Sequence, residues 1–204
     1  MFTFLKLFWL TIAALFCFLL AAIALVSFFD SFAVAAQPFG IPMGADPEEL
    51  GCNQASNVQA WICESVPKPH SDFETYAVFH APETGVGSVV AISKAKNDSY
   101  GSQTRTFMEG IVNQLSRKYG EPTKSLDYLK RDSIWDDPND WERGVYVDER
   151  VYAFLWQNLN IDNVTGIVFT ATADHSGVAT KLQFAFENFE EMLEANSNRQ
   201  ADSF

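Results

Sequence analysis

Between Ser102 and Tyr119 the apolar residues Phe107, Ile111, Leu115 and Tyr119 fall every four positions, with Met108 and Val112 beside them. That spacing lays one apolar stripe along a helix. Arg105, Glu109, Asn113, Gln114, Arg117 and Lys118 fall mostly off the stripe, toward water. Arg117 and Lys118 occupy the last turn, Gly120 the first non-helical position and Pro122 the position two beyond, a well-marked helix end.

On either side the period changes from helical to alternating. Phe73, Thr75, Ala77, Phe79 and Ala81 share one face of a predicted strand, and Glu74, Tyr76, Val78 and His80 share the other. Pro82 to Gly87 reads as a turn and Ser88 to Ala95 as the returning strand, which makes a hairpin. Downstream, Val145 to Gln157 is the longest strand candidate, bent near Asp148 and Glu149. Val164 to Ala173 and Val178 to Phe186 follow, the last with Leu182, Phe184 and Phe186 inward, and the three form a meander. A short helix from Asn188 to Asn196 is expected to bury Phe189, Met192 and Leu193, and Asn198 to Phe204 reads as a frayed tail. Ahead of the hairpin, Gln37 to Met43 reads as an extended linker and Asp46 as the cap of a short helix. Ala55 to Cys63 reads as a second short helix or an irregular loop, the spacing of Val58, Trp61 and Ile62 favouring helix. Glu121 to Asp132 is polar and carries no strand signal.

Strands in local groups with a long helix between them predict an α+β fold. The expected architecture is an antiparallel sheet of about five strands, a two-strand hairpin plus a three-strand meander, packed on one long amphipathic helix. A doubly wound parallel sheet would need a helix after each strand, and those helices are missing.

The first 36 positions stand apart. After Lys6, no charge occurs from Leu7 to Phe29; Asp30 ends the run, and Ala33-Val34-Ala35-Ala36 follows. A positive end, an apolar middle and small residues at a cleavage point are the parts of a secretory signal. The run, 23 residues, exceeds the roughly 7–15 residues of an ordinary signal core and is long enough for the roughly 20 that span a bilayer. Residues 1–36 are therefore a cleaved signal peptide or a retained membrane anchor, and 37–204 one extracytoplasmic α+β domain. Both readings place the domain outside the cytoplasm, periplasmic or secreted, because Lys6 favours the cytoplasmic side. Under the second reading a single N-terminal span stays in the inner membrane.

Charge narrows the partners. The 204 residues carry 14 Lys and Arg against 26 Asp and Glu, a net charge of −12. With no basic cluster to offset it, that balance argues against nucleic acid and against anionic lipid headgroups. Beyond the leader two cysteines remain, Cys52 and Cys63. In an exported chain they are expected to form a disulfide worth about 3 kcal/mol. With no histidine between them they make a poor metal pair.

Catalytic signals are sparse. His70, His80 and His175 show no metal-binding spacing, and no serine sits in a nucleophile-elbow pattern. The sequence thus offers no catalytic, cofactor or metal residues, and no cofactor is expected. Asp132, Asp136, Asp137, Asn139, Asp140 and Glu142 are oxygen donors of the kind calcium takes, but Pro138 and Trp141 occupy ligand places of the EF-hand pattern. Trp135, Asp136, Asp137, Asp140 and Trp141 make a possible partner surface, if both tryptophans are exposed in one groove.

Gly40-Ile41-Pro42-Met43-Gly44 followed by Asp46-Pro47-Glu48-Glu49-Leu50 resembles the lead into an acidic helix start in small outer-membrane-assembly lipoproteins. Lys118 to Pro122 is similar to helix ends in many small exported proteins. The lipid-bearing cysteine of those lipoproteins is missing, and both stretches are capping patterns.

Three roles follow as expectations. The first is a non-enzymatic binding or accessory module of the cell envelope, with an envelope protein or a glycan as partner. The second is a membrane-tethered envelope assembly factor. The third is a hydrolase whose site assembles from distant residues, with His80 beside Asp72 or His175 beside Asp174 as its candidates.

Overall fold

The computed structural model describes residues 37–56 and 60–201. The leader at 1–36, Val58 and the last three residues lie outside the described residues. The α+β class and the antiparallel sheet are as expected, but the sheet is larger: among the described residues it has eight strands rather than about five, accompanied by three helices.

The strands are β1 (Cys52–Gln54), β2 (Ala60–Cys63), β3 (Thr75–Ala81), β4 (Gly85–Ile92), β5 (Lys124–Leu129), β6 (Arg150–Ile161), β7 (Val164–Asp174) and β8 (Gly177–Phe186). The helices are α1 (Ser102–Tyr119), α2 (Trp141–Tyr146) and α3 (Phe189–Ala201). Strand order is β1-β2-β3-β4-β8-β7-β6-β5, every pair antiparallel. Two local meanders of four strands therefore meet along a single seam, β4 against β8. Helix α1 links the end of the first meander to the far edge of the second.

Alternation sorts the side chains into two faces. Tyr76, Val78, Val89, Ala91, Leu182, Phe184, Ile167, Phe169 and Trp156 point to the inner face and are buried. Helix α1 covers that face with Met108, Ile111, Val112 and Tyr119 buried, and Phe107 and Leu115 half-buried beside them. Fully burying one such side chain contributes about 1.5–3 kcal/mol. Trp156 Nε1 donates to Gly120 O at 2.7 Å, which fixes the end of α1 to β6.

The segment that reads as a linker, Gln37 to Met43, is instead part of the core. Ile41 is fully buried, and Phe39 meets Phe73, Tyr76 and Phe184 edge-on. Pro and Gly there shape a turn whose apolar residues fill a gap in the inner layer. The helix expected at Asp46 is a single turn: Asp46 Oδ1 accepts the Glu48 N–H at 2.9 Å, and the chain enters β1 at Cys52. The 60–63 segment is strand β2 rather than helix: Cys52 and Cys63 are paired directly across β1 and β2 and joined by a disulfide.

Three further differences concern the second meander. Helix α2 takes in Val145 and Tyr146, expected to open a strand, together with 141–144 ahead of them, since Trp141 and Val145 at i,i+4 are both buried against the sheet. The chain reverses at Asp148, φ 56°, where a bend was expected, and β6 starts at Arg150. Strand β5 escapes the pattern because it is an edge strand with most side chains in water. Arg105 of α1 clamps it through Asp127, and Arg150 lies 3.8 Å from the same carboxylate.

Helix α3 is longer than expected and lies over β3 and β4 on the outer face. Met192 is its buried residue; Phe189 is half-buried and Leu193 exposed. Asn188 Nδ2 donates to Thr84 O and Val86 O, and Asn196 Nδ2 to His80 O. Gly87 sits under Met192: a side chain there would begin 2.9 Å from the sulfur.

Two outcomes test this packing. Replacing Cys52 and Cys63 together by Ser should lower unfolding free energy by about 3 kcal/mol in a urea titration, with the sheet's circular dichroism retained. Gly101, φ 71°, would place a Cβ only 2.2 Å from the Trp141 ring. Gly101→Ala should therefore cost more than the roughly 1–2 kcal/mol of the left-handed conformation alone, read from the same titration.

Candidate functional site

The expected partner surface divides. Trp141 is 2% exposed, with Gly101 beneath its ring and Tyr152 edge-on at 6.2 Å, so it is a core plug and leaves the surface. Trp135 is half-buried, and Asp136 and Asp137 are exposed. The exposed pair of tryptophans in one groove does not occur.

What forms instead is a row of adjoining cationic and aromatic groups. The Arg143 guanidinium lies 5.2 Å from the Trp135 ring centre and 4.9 Å from that of Tyr146. The Tyr146 ring in turn lies 5.4 Å from His175, its hydroxyl 3.3 Å from Nδ1. Helix α2 sets this up: Arg143 and Tyr146 are three residues apart and share a face, while Trp141 and Val145 take the buried one. The β7–β8 turn, Asp174 to Gly177, delivers His175.

Beside the row is a polar cleft of about 290 Å³ lined by Ser99, Asn139, Glu142, Arg143, Tyr146, Asp174 and His175. Its carboxylates are held by backbone. Glu142 Oε2 accepts the Asp98 N–H at 2.7 Å, and Asp174 Oδ1 accepts the Ser176 N–H at 2.7 Å. Asp137 Oδ1 at the rim accepts the Asn139 N–H at 3.0 Å. Asp98, buried, carries the α1 end of this web by accepting the Thr104 N–H at 2.7 Å. Arg143 makes no ion pair or hydrogen bond through its side chain among the described residues.

The other candidates are scattered. Among the described residues no group of three or more His, Cys, Asp or Glu side chains could hold a metal ion, and the acidic run 132–142 is spread over a turn and a helix. Asp72 is not beside His80; its Oδ2 lies 3.7 Å from His70 Nδ1. His80 packs edge-on to Trp61 at 5.5 Å in a separate cleft with Asp46, Glu48 and Glu83. His175 faces Tyr146 rather than the Asp174 carboxylate.

No family model matches the chain, and neither a curated protein nor a solved structure matches it.

The sequence singled out His175 but gave no reason to join it to Tyr146, and it passed over Arg143. The signal was an i,i+3 Arg–Tyr pair, visible only once 141–146 is known to be helical.

Burial pushes the His80 imidazole below its ordinary value, outweighing Asp46 and Glu83, which act the other way, and aided by Arg199. The unfolded chain then binds the extra proton more readily, so this contribution is present above about pH 6.5 and is lost as pH falls below it. Urea midpoints should therefore fall less for His80→Gln than for the wild type between neutral and mildly acidic pH.

Proposed function

We propose that residues 37–204 form a non-enzymatic binding module that works outside the cytoplasm, and that the Trp135–Arg143–Tyr146–His175 row is its contact site. The observation that carries this reading is the row itself. Aromatic side chains and arginine most often anchor binding surfaces, and here Arg143, Tyr146 and His175 line one cleft. The Cys52–Cys63 disulfide suits an oxidising compartment. Among the described residues no helix is long and apolar enough to cross a membrane. Attachment, where it exists, therefore rests on the leader or on a partner.

A photo-reactive residue at Asn139, in the cleft, is expected to crosslink the protein to an envelope component in living cells. The same residue at Glu49, exposed in another part of the domain, is expected to give none. Intact mass of the recovered protein then separates a cleaved leader from a retained anchor. Equal crosslinking at both positions, or a full-length cytosolic chain with both thiols free for alkylation, ends this reading.

A further inference from the structure

Resting on that reading, we infer that the cleft beside Arg143 recognises a single sugar carboxylate, a terminal uronic acid on a glycan. The inference begins from an imbalance. In a chain of 26 Asp and Glu, a guanidinium within one cleft of Glu142 and Asp174 pairs with neither. Both acids use one oxygen on a backbone N–H. The Arg143 guanidinium lies over the Trp135 and Tyr146 rings, which holds it in place. Its N–H edge is left as a planar fork, which matches a carboxylate with two parallel hydrogen bonds.

The surroundings select among carboxylates. The cleft, about 290 Å³, has room for a sugar ring. Ser99 and Asn139, together with the second oxygens of Glu142 and Asp174, offer donors and acceptors suited to several hydroxyls. A peptide carboxyl terminus would bring an apolar side chain, and apart from Tyr146 the lining has no apolar residue to receive it. Glu142 and Asp174, in the lining itself, repel a second negative charge, so one carboxylate fits and a polyuronate does not.

Other features carry less. The cleft at the start of α1, with Ser93, Lys96 and Thr180, mixes Lys94 and Lys96 with Asp72 and Glu74. The groove along Leu155, Val168 and Phe189 on the outer face has nothing to specify its occupant.

Calorimetric titration of the purified protein with a disaccharide ending in glucuronic acid tests this. Its methyl ester, the neutral glucose-terminated analogue and a short peptide with a free carboxyl terminus are the controls. The acid is expected to bind about tenfold or more tightly than the ester, the effect of a charge-assisted bidentate pair. Arg143→Ala should abolish that difference, and Arg143→Lys should restore only part of it. Thermal unfolding of each variant shows whether the fold is kept. Asn139→Ala, outside the row, should weaken acid and ester alike.

Equal affinity for acid and ester overturns the inference, while leaving the binding module and its Asn139 crosslink intact. Tighter binding of the peptide than of the sugar acid overturns it as well. No binding of any probe by a folded protein that still crosslinks at Asn139 overturns it and leaves the module; loss of the crosslink too removes both.

Discussion

The seam between β4 and β8 is the constraint on which the fold depends. Every other strand pair is made by neighbours in sequence, but Ser88–Ile92 must find Lys181–Ala185 across roughly half the domain. A slip of one residue would turn Val89, Ala91, Leu182 and Phe184 away from α1 and expose them. Side chains guard the register at both ends. Ser88 Oγ donates to Phe184 O at 2.9 Å and accepts from Gln183 Nε2 at 3.0 Å. At the other end Ser93 Oγ accepts the Thr180 N–H at 2.9 Å. With that seam closed, α1 has a continuous apolar surface to cover, and the two meanders become one sheet.

The candidate site inherits its geometry from this packing. Helix α1 begins at Ser102, directly after the Gly101 turn that lets Trp141 approach, and Asp98 and Glu142 tie that turn to α2. Once Trp141 and Val145 are committed to the interior, helical geometry sends Arg143 and Tyr146 toward the surface. The Arg105–Asp127 clamp holds the neighbouring edge strand, and Arg105 also lies over the Trp141 and Tyr152 rings. Burial pushes the Tyr152 phenol above its ordinary value, in keeping with its place in the wall beneath α2. The exposed row therefore stands on a buried counterpart of similar chemistry, arginine on aromatic rings, in which the arginine has a carboxylate.

Legibility in the sequence followed burial. Strands β3, β4, β7 and β8 and helix α1 carry periodic apolar residues because each lies against the core, and they were readable with ends off by a few positions. Strand β5 was not, because an edge strand keeps only Leu126 and Leu129 half-covered and looks like a polar loop. The Pro and Gly of residues 37–43 suggested a linker, although Phe39 and Ile41 close the inner layer; turn residues report backbone shape, not burial. Residues 145–157 were β-rich throughout, yet tertiary contacts of Trp141 and Val145 drew 141–146 into a helix. Of the expected partner surface, Trp135 and the aspartates remained at the surface and Trp141 did not, since nothing local distinguishes a tryptophan that plugs a core from one that faces water.

The chain by itself determined the α+β class, the central helix and its stop, the β3–β4 hairpin, the β6–β7–β8 meander and the cysteine pairing. These depend on residue spacing and on turn chemistry within a few positions of one another. Tertiary structure alone decided that two meanders meet at β4 and β8, that an edge strand joins at β5, and that Arg143 stands between Trp135 and Tyr146 beside His175. Those outcomes depend on which distant surfaces exclude water together, and that is a property of the packed whole that no single stretch of sequence carries.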